Sequence, residues 1–172
     1  MRFEIYPAIT ISRKESRQGI FNKSIWSDLD EENSGLADAC GCYVFALRNG
    51  QNLTPWYVGK TEKRTFRHEC FQATKINYYN EAMIGRKGTP LLILIPRITA
   101  SGNRFSSPTK SGYRDVDYLE TILIGLALEK NSSLLNIKKT KLLREMKVPG
   151  IINSPQARPT KAVLELKNAL GL

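Results

Sequence analysis

Glu120 is the residue of this chain whose type and setting are hardest to reconcile with a purely structural part. It falls in Asp115 to Lys130 (DVDYLETILIGLALEK), and helical spacing puts Val116, Leu123, Ile124 and Ala127 on its stripe. A carboxylate on an apolar stripe is costly to bury unless it is paired, bound to a cation, or turned into a cleft. Two readings follow. Glu120 ion-pairs with a nearby arginine, Arg67 or Arg97, and is structural; or it faces a cleft and does chemistry there. Thiol and imidazole chemistry has less to build on. Cys40 and Cys42 are separated by one residue, Cys70 stands apart, and His68 is the only histidine. Those spacings do not make a structural zinc site, and the cysteines read as reduced, partly buried thiols.

A second constellation lies upstream. Cys42 to Leu47 (CYVFAL) is a β-rich run, Arg48 to Pro55 a loop with an Asn-Gly turn signal, and Trp56 to Val58 resumes strand character. The pattern predicts a β-hairpin with a long connection. Gly41-Cys42-Tyr43 on its first strand and Tyr57-Val58-Gly59 on its second resemble the two tripeptides that name the GIY-YIG nucleases, with thirteen residues between the tyrosines. The rest of that family's pattern follows in order. Arg67 falls ten residues after Tyr57, and Glu120 sits within LETILI, which resembles the family's metal-binding helix. Asn136 ends an LLN tripeptide like the one that closes the family's domain. The resemblance spans residues 41–136.

The resemblance implies a metal-dependent endonuclease that hydrolyses DNA phosphodiester bonds by a one-metal mechanism. Glu120 would hold a single divalent cation, Mg²⁺ or another such as Mn²⁺, with water and phosphate oxygens completing its shell. The cation would stabilise the leaving oxygen and the charge developing on phosphorus. Arg67 would clamp a non-bridging phosphate oxygen. Tyr43 would accept a proton from the attacking water, with Tyr57 positioning that water. A phenol has a reference pKa of about 10, so this role needs positive charge nearby. Lys60, directly after Gly59, is the expected source, and Gly41, Gly59 and Asn136 would support the site. Each role has a plainer competitor. Tyr43 and Tyr57 could be ordinary cross-strand aromatics, Arg64 could replace Arg67 as the clamp, and Lys60 could only solvate a strand end. Asn136 reads as a structural hydrogen-bonder rather than a ligand. Many relatives carry a histidine one turn after the arginine, where this chain has Phe71, so His68 carries little weight.

Elements must place these residues. The expected fold is α/β (α+β): a small antiparallel sheet of about three strands flanked by helices. Residues 3–12 suit a strand that Pro7 confines to an edge or breaks, and residues 24–39 a short helix followed by loop. Residues 61–73 suit a basic helix capped by Thr61, and Leu91 to Ile98 a third, buried strand. Residues 99–113 are a polar loop rich in Gly and Ser, and acids open the Asp115–Lys130 helix as its dipole prefers. A last helix runs from Lys161 to Leu170, capped by Thr160 and stopped by Gly171; its Val163, Leu166 and Leu170 share a face expected to dock. The chain divides into an N-terminal extension at 1–38, a nuclease-like domain at 39–137 and a basic extension at 138–172.

Composition bounds the rest. The 172 residues are 41% hydrophobic, enough for a real core and against wholesale disorder. No apolar run reaches the roughly 18 residues of a membrane-spanning helix, and the N-terminus lacks a secretory pattern, so the expectation is a cytoplasmic protein without membrane contact. The net charge of +10 is uneven. Residues 39–112 carry eleven Lys/Arg against three Asp/Glu, and residues 137–172 eight against two, separated by a short acidic block. Two basic blocks suit a polyanion, with DNA expected and RNA compatible. Lys60, Lys63, Arg64, Lys138, Lys139 and Lys141 are the expected phosphate contacts. Two rivals stand beside the nuclease. One is a nucleic-acid-binding module that has lost catalysis, for which a missing Tyr43, Arg67 or Glu120 would be the mark. The other is a partner-binding protein whose basic patches serve solubility. Oligomeric state is not legible.

Overall fold

The hairpin that carries the two tyrosines is longer and tighter than its sequence suggests. Strand β3 (Gly41–Asn49) and strand β4 (Asn52–Thr61) pair antiparallel from Gly41↔Thr61 to Asn49↔Asn52. Only Gly50 and Gln51 form the turn, so the expected long connection is replaced by regular strand. The register steps between Phe45 and Ala46, which pair with Tyr57 and Pro55. Trp56 is thereby an extra residue on β4, a bulge in the hairpin.

The computed structural model describes residues 1–12, 25–102, 104–152 and 158–172. They fall into two units, Met1–Leu135 and Asn136–Leu172. In the first, strand β5 (Thr89–Ile98) pairs antiparallel with β3. The N-terminal segment contributes two short strands, β1 (Arg2–Phe3) and β2 (Ile9–Thr10), both antiparallel to β5. The sheet therefore has five strands in the order β1-β5-β3-β4, with β2 also on β5. The expected count of about three falls short because residues 1–12 are recruited to the free edge of β5. Pro7 lies in the gap between β1 and β2, in keeping with its missing N–H.

Alternation divides the side chains of the sheet between two layers of helix. On one face Tyr43, Phe45, Leu47, Tyr57, Leu92 and Leu94 form a core with residues from helices α1 (Ile25–Glu32), α2 (Phe66–Glu69) and α3 (Ala73–Met83). On the other, Cys42, Val44 and Ile95 pack against Val116, Leu119 and Leu123 of helix α4 (Arg114–Lys130). The single helix expected over 61–73 does not form. Thr61 completes the hairpin opposite Gly41, and its hydroxyl donates to the Arg64 carbonyl. Thr65 is the cap instead, accepting from the His68 N–H, and the α2 N-terminus docks through Phe66 N–H to Ala39 and Arg67 N–H to Ala37. The chain then restarts as α3.

Helix α4 is fastened to β4 at both ends. Lys60 Nζ lies 2.6 Å from Asp117 near its N-terminus, and Asn131 Nδ2 donates to the Pro55 carbonyl at 2.8 Å beyond its C-terminus. The loop over 99–113 is anchored along its described length: Thr109 N–H donates to the Glu62 carbonyl and Tyr113 N–H to the Glu62 carboxylate.

The second unit holds helices α5 (Thr140–Glu145) and α6 (Lys161–Leu170). Helix α6 is capped by Thr160 and ends at a left-handed Gly171, as its sequence predicts. None of its residues is buried, so the expected docking of Val163, Leu166 and Leu170 is not found among the described residues.

Candidate active site

The hairpin face brings both tyrosines to the α1–α3 side of the sheet, in different circumstances. Tyr43 pairs with Gly59, and its ring lies directly over that glycine. A side chain at Gly59 would run into the Tyr43 ring, and one at Gly41 into the β5 backbone at Ile95 and Pro96. The two tripeptide glycines are thus required by close approach. Tyr43 is 0% exposed, and its hydroxyl, like that of Tyr79, is buried without a hydrogen-bond partner among the described residues. Burial pushes the Tyr43 phenol well above its ordinary pKa, with Tyr79 and Cys70 adding to the effect.

Tyr57 is the tyrosine that meets polar groups. Lys75 Nζ, from the first turn of α3, donates to its hydroxyl oxygen at 2.8 Å and lies 5.2 Å from its ring centre. Glu69 holds the other side of that ammonium at 3.7 Å. Tyr78 stacks on the Tyr57 ring at 5.1 Å, Tyr43 tilts against it and Tyr79 meets it edge-on. Burial raises the Tyr57 pKa, the Lys75 hydrogen bond and charge pull it back, and Glu120 raises it again; the net shift is upward. Glu120 itself is half-buried on the sheet-facing side of α4, between the two fastenings of the helix.

The remaining expected site residues are engaged or exposed. Lys60 projects to the α4 side, where its ammonium is shared by Asp117 at 2.6 Å and Glu62 at 3.0 Å. Burial lowers its pKa, but the two carboxylates outweigh that and the net shift is upward. Lys60, expected to supply positive charge to Tyr43, is held by carboxylates on the α4 side, and the cation on the tyrosine face is Lys75, bonded to Tyr57. Arg67 is closed on acids from the α1 region, with Nη2 2.5 Å from Asp30 and Nε 3.2 Å from Asp38. Arg97, the other arginine considered for Glu120, bonds Asp115 at 2.8 Å. Lys63 and Arg64 are exposed in the loop before α2, and His68 is exposed with its ring on Thr65. Asn136 belongs to the second unit, where it is buried and its carbonyl accepts from Thr140. Lys138 and Lys141 are exposed there, and Lys139 is half-buried at a left-handed φ of 66°.

Lys75, Glu69 and Tyr78 carry no motif that the chain itself would flag. Lys75 and Tyr78 reach Tyr57 from α3, and Glu69, the last residue of α2, holds the Lys75 ammonium. Among the described residues no three His, Cys, Asp or Glu side chains gather to cage a metal. A single carboxylate is still an adequate protein donor for Mg²⁺, which keeps most of its waters and takes phosphate oxygens. Of the expected site residues, Glu120 is the carboxylate that would hold such a cation. No helix among the described residues is long and apolar enough to cross a membrane. Compared with protein families, curated proteins and solved structures, the chain matches none.

Proposed function

We propose that this chain is a DNA endonuclease of the GIY-YIG type, with Tyr57 rather than Tyr43 as the proton acceptor. The observation that carries the reading is the Tyr57 hydroxyl, bonded to Lys75 at 2.8 Å and under the influence of Glu120 from the opposite helix layer. A phenol tied to an ammonium is a group suited to proton abstraction next to an anionic substrate. Lys75 stabilises the phenolate against burial, so that Tyr57 can take a proton from water attacking phosphorus. Tyr43, sealed from solvent, forms the floor under Gly59 and holds the hairpin rigid. A divalent cation on Glu120 would supply charge stabilisation to the scissile phosphate. Lys63 and Arg64 are exposed cations near the start of α2 and supply phosphate contacts, as do Lys138, Lys139 and Lys141 of the second unit. Arg67 joins them once substrate phosphate displaces Asp30 and Asp38.

A second reading, a nucleic-acid-binding module without catalysis, draws support from the closure of Arg67 on those two aspartates. One experiment separates the two: supercoiled and single-stranded DNA incubated with Mg²⁺ or with EDTA. The nuclease reading expects metal-dependent nicking by wild type. Glu120→Gln and Tyr57→Phe should each lose about 10²–10⁴-fold in single-turnover rate, with DNA affinity within a few-fold of wild type. Tyr43→Phe should cut at nearly the wild-type rate. Binding without nicking at any Mg²⁺ concentration would leave the module reading standing, and inactive Tyr43→Phe beside active Tyr57→Phe would reverse the two tyrosine roles.

A further inference from the structure

Helix α4 is apolar on two opposite sides, and only one of them is used by the sheet. Val116, Ile124 and Ala127 are buried on the inner side. Tyr118, Ile122 and Leu126, one turn apart, are 73%, 53% and 59% exposed on the outer side. At 100° per residue, Arg114, Tyr118, Ile122, Gly125, Leu126 and Glu129 all fall within an arc of about 120°, and Glu120 lies on the far side of the helix. Beside this stripe a groove of about 540 Å³ runs over Phe3, Leu119 and Ile122. A contiguous exposed apolar face of this kind on a small domain marks a contact surface.

We infer that the outer face of α4 pairs with α4 of a second copy of this chain, antiparallel about a two-fold axis. The occupant is specified by the charges at the two ends of the stripe. Arg114 and Glu129 are exposed, and neither has an ion-pair partner among the described residues. They stand fifteen positions apart. With the axis between Thr121 and Ile122, Arg114 of each copy faces Glu129 of the other, so both ion pairs form at once. The same register sets Tyr118 against Gly125, where nothing lies within 4 Å of the position a side chain would take. A large aromatic thus meets an open position twice, once on each side of the axis. A two-fold contact requires such a self-complementary surface, with residue i facing j and j facing i. Apolar side chains supply the buried centre and the end charges fix the register. Because Glu120 and Tyr57 lie on the other side of α4, pairing leaves that site uncovered, and the inference does not depend on the function proposed for it.

The test is sedimentation equilibrium of the full chain from about 1 to 100 µM, the range in which a modest helix-to-helix interface associates. Wild type should dimerise, while Ile122→Asp with Leu126→Asp should be monomeric throughout with an unchanged circular dichroism spectrum. Arg114→Glu and Glu129→Arg should each weaken the dimer by about 3- to 10-fold at low salt, and the two together should restore it to within about twofold. A wild-type chain that stays monomeric overturns the inference. So does a dimer that survives both aspartates, and so does a double charge reversal no better than the single changes, since the register would then be wrong.

Discussion

At the scale of single residues, burial sets the upward direction of the Tyr57 titration and Lys75 limits it. Burial and Glu120 raise its pKa, and Lys75 is the group that opposes them. If Tyr57 is the base, the rate of DNA cleavage should climb with pH well into the alkaline range, following the phenolate fraction. Lys75→Met should push that limb to higher pH and cut the rate below it by about tenfold for each unit of displacement. A pH profile unmoved by Lys75→Met would remove the electrostatic role. Tyr43 makes the opposite expectation. Its hydroxyl is buried without a partner, so Tyr43→Phe should be neutral or stabilising by about 1 kcal/mol in urea unfolding. The two tyrosines were legible in the chain as a pair on adjacent strands, but not their different surroundings. Strand alternation puts both on one face; the fold then buries Tyr43 completely and brings Lys75 to the hydroxyl of Tyr57. Glu120 was legible for a physical reason: a carboxylate among Val116, Leu123 and Ile124 stands out at helical spacing.

At the scale of elements, the hairpin and α4 depend on single contacts whose loss can be measured. A methyl at Gly59 would collide with the Tyr43 ring, which is locked in the core. Ala normally suits a strand better than Gly, so the sign is set by the clash. Gly59→Ala should destabilise by about 2–3 kcal/mol. In a Tyr43→Ala background the same change should cost much less, because the atoms it strikes are gone. At Gly41 the obstacle is the β5 backbone, so truncating a side chain should bring no relief. Additive costs in the Gly59–Tyr43 pair would show that the ring can move aside. The elements most readable beforehand were those with unambiguous ends. Helix α4 has Asp115 and Asp117 in its first turn and Lys130 in its last, and α6 lies between Thr160 and Gly171. Residues 61–73 do not reveal their helix start in sequence, because Thr61 and Thr65 are equally good caps. The choice is made by Thr61 pairing with Gly41, a contact twenty residues away.

At the scale of the whole molecule, the resolved titrations point to alkali. Burial raises Tyr43, Tyr57, Tyr79 and Cys70 above their ordinary values, and pushes Cys40 up to about 11. A group whose folded pKa is raised contributes stability that is complete below its unfolded pKa and is lost as pH climbs toward the folded one. The unfolding midpoint in urea should therefore hold through neutrality, begin to fall near the ordinary thiol range at about pH 8.5, and drop steeply above about pH 10. A midpoint that rises between pH 9 and pH 11 would contradict the burial of these groups. The three cysteines have a further consequence. All are free and buried, with Cys42 under α4 and Cys70 in the core beneath α1–α3. A thiol reagent meets no sulfur in the native state, so each labelling event records an opening of the layer above it. At saturating reagent the Cys42 and Cys70 rates would time the departure of the two helix layers separately, a clock for partial unfolding already built into the chain.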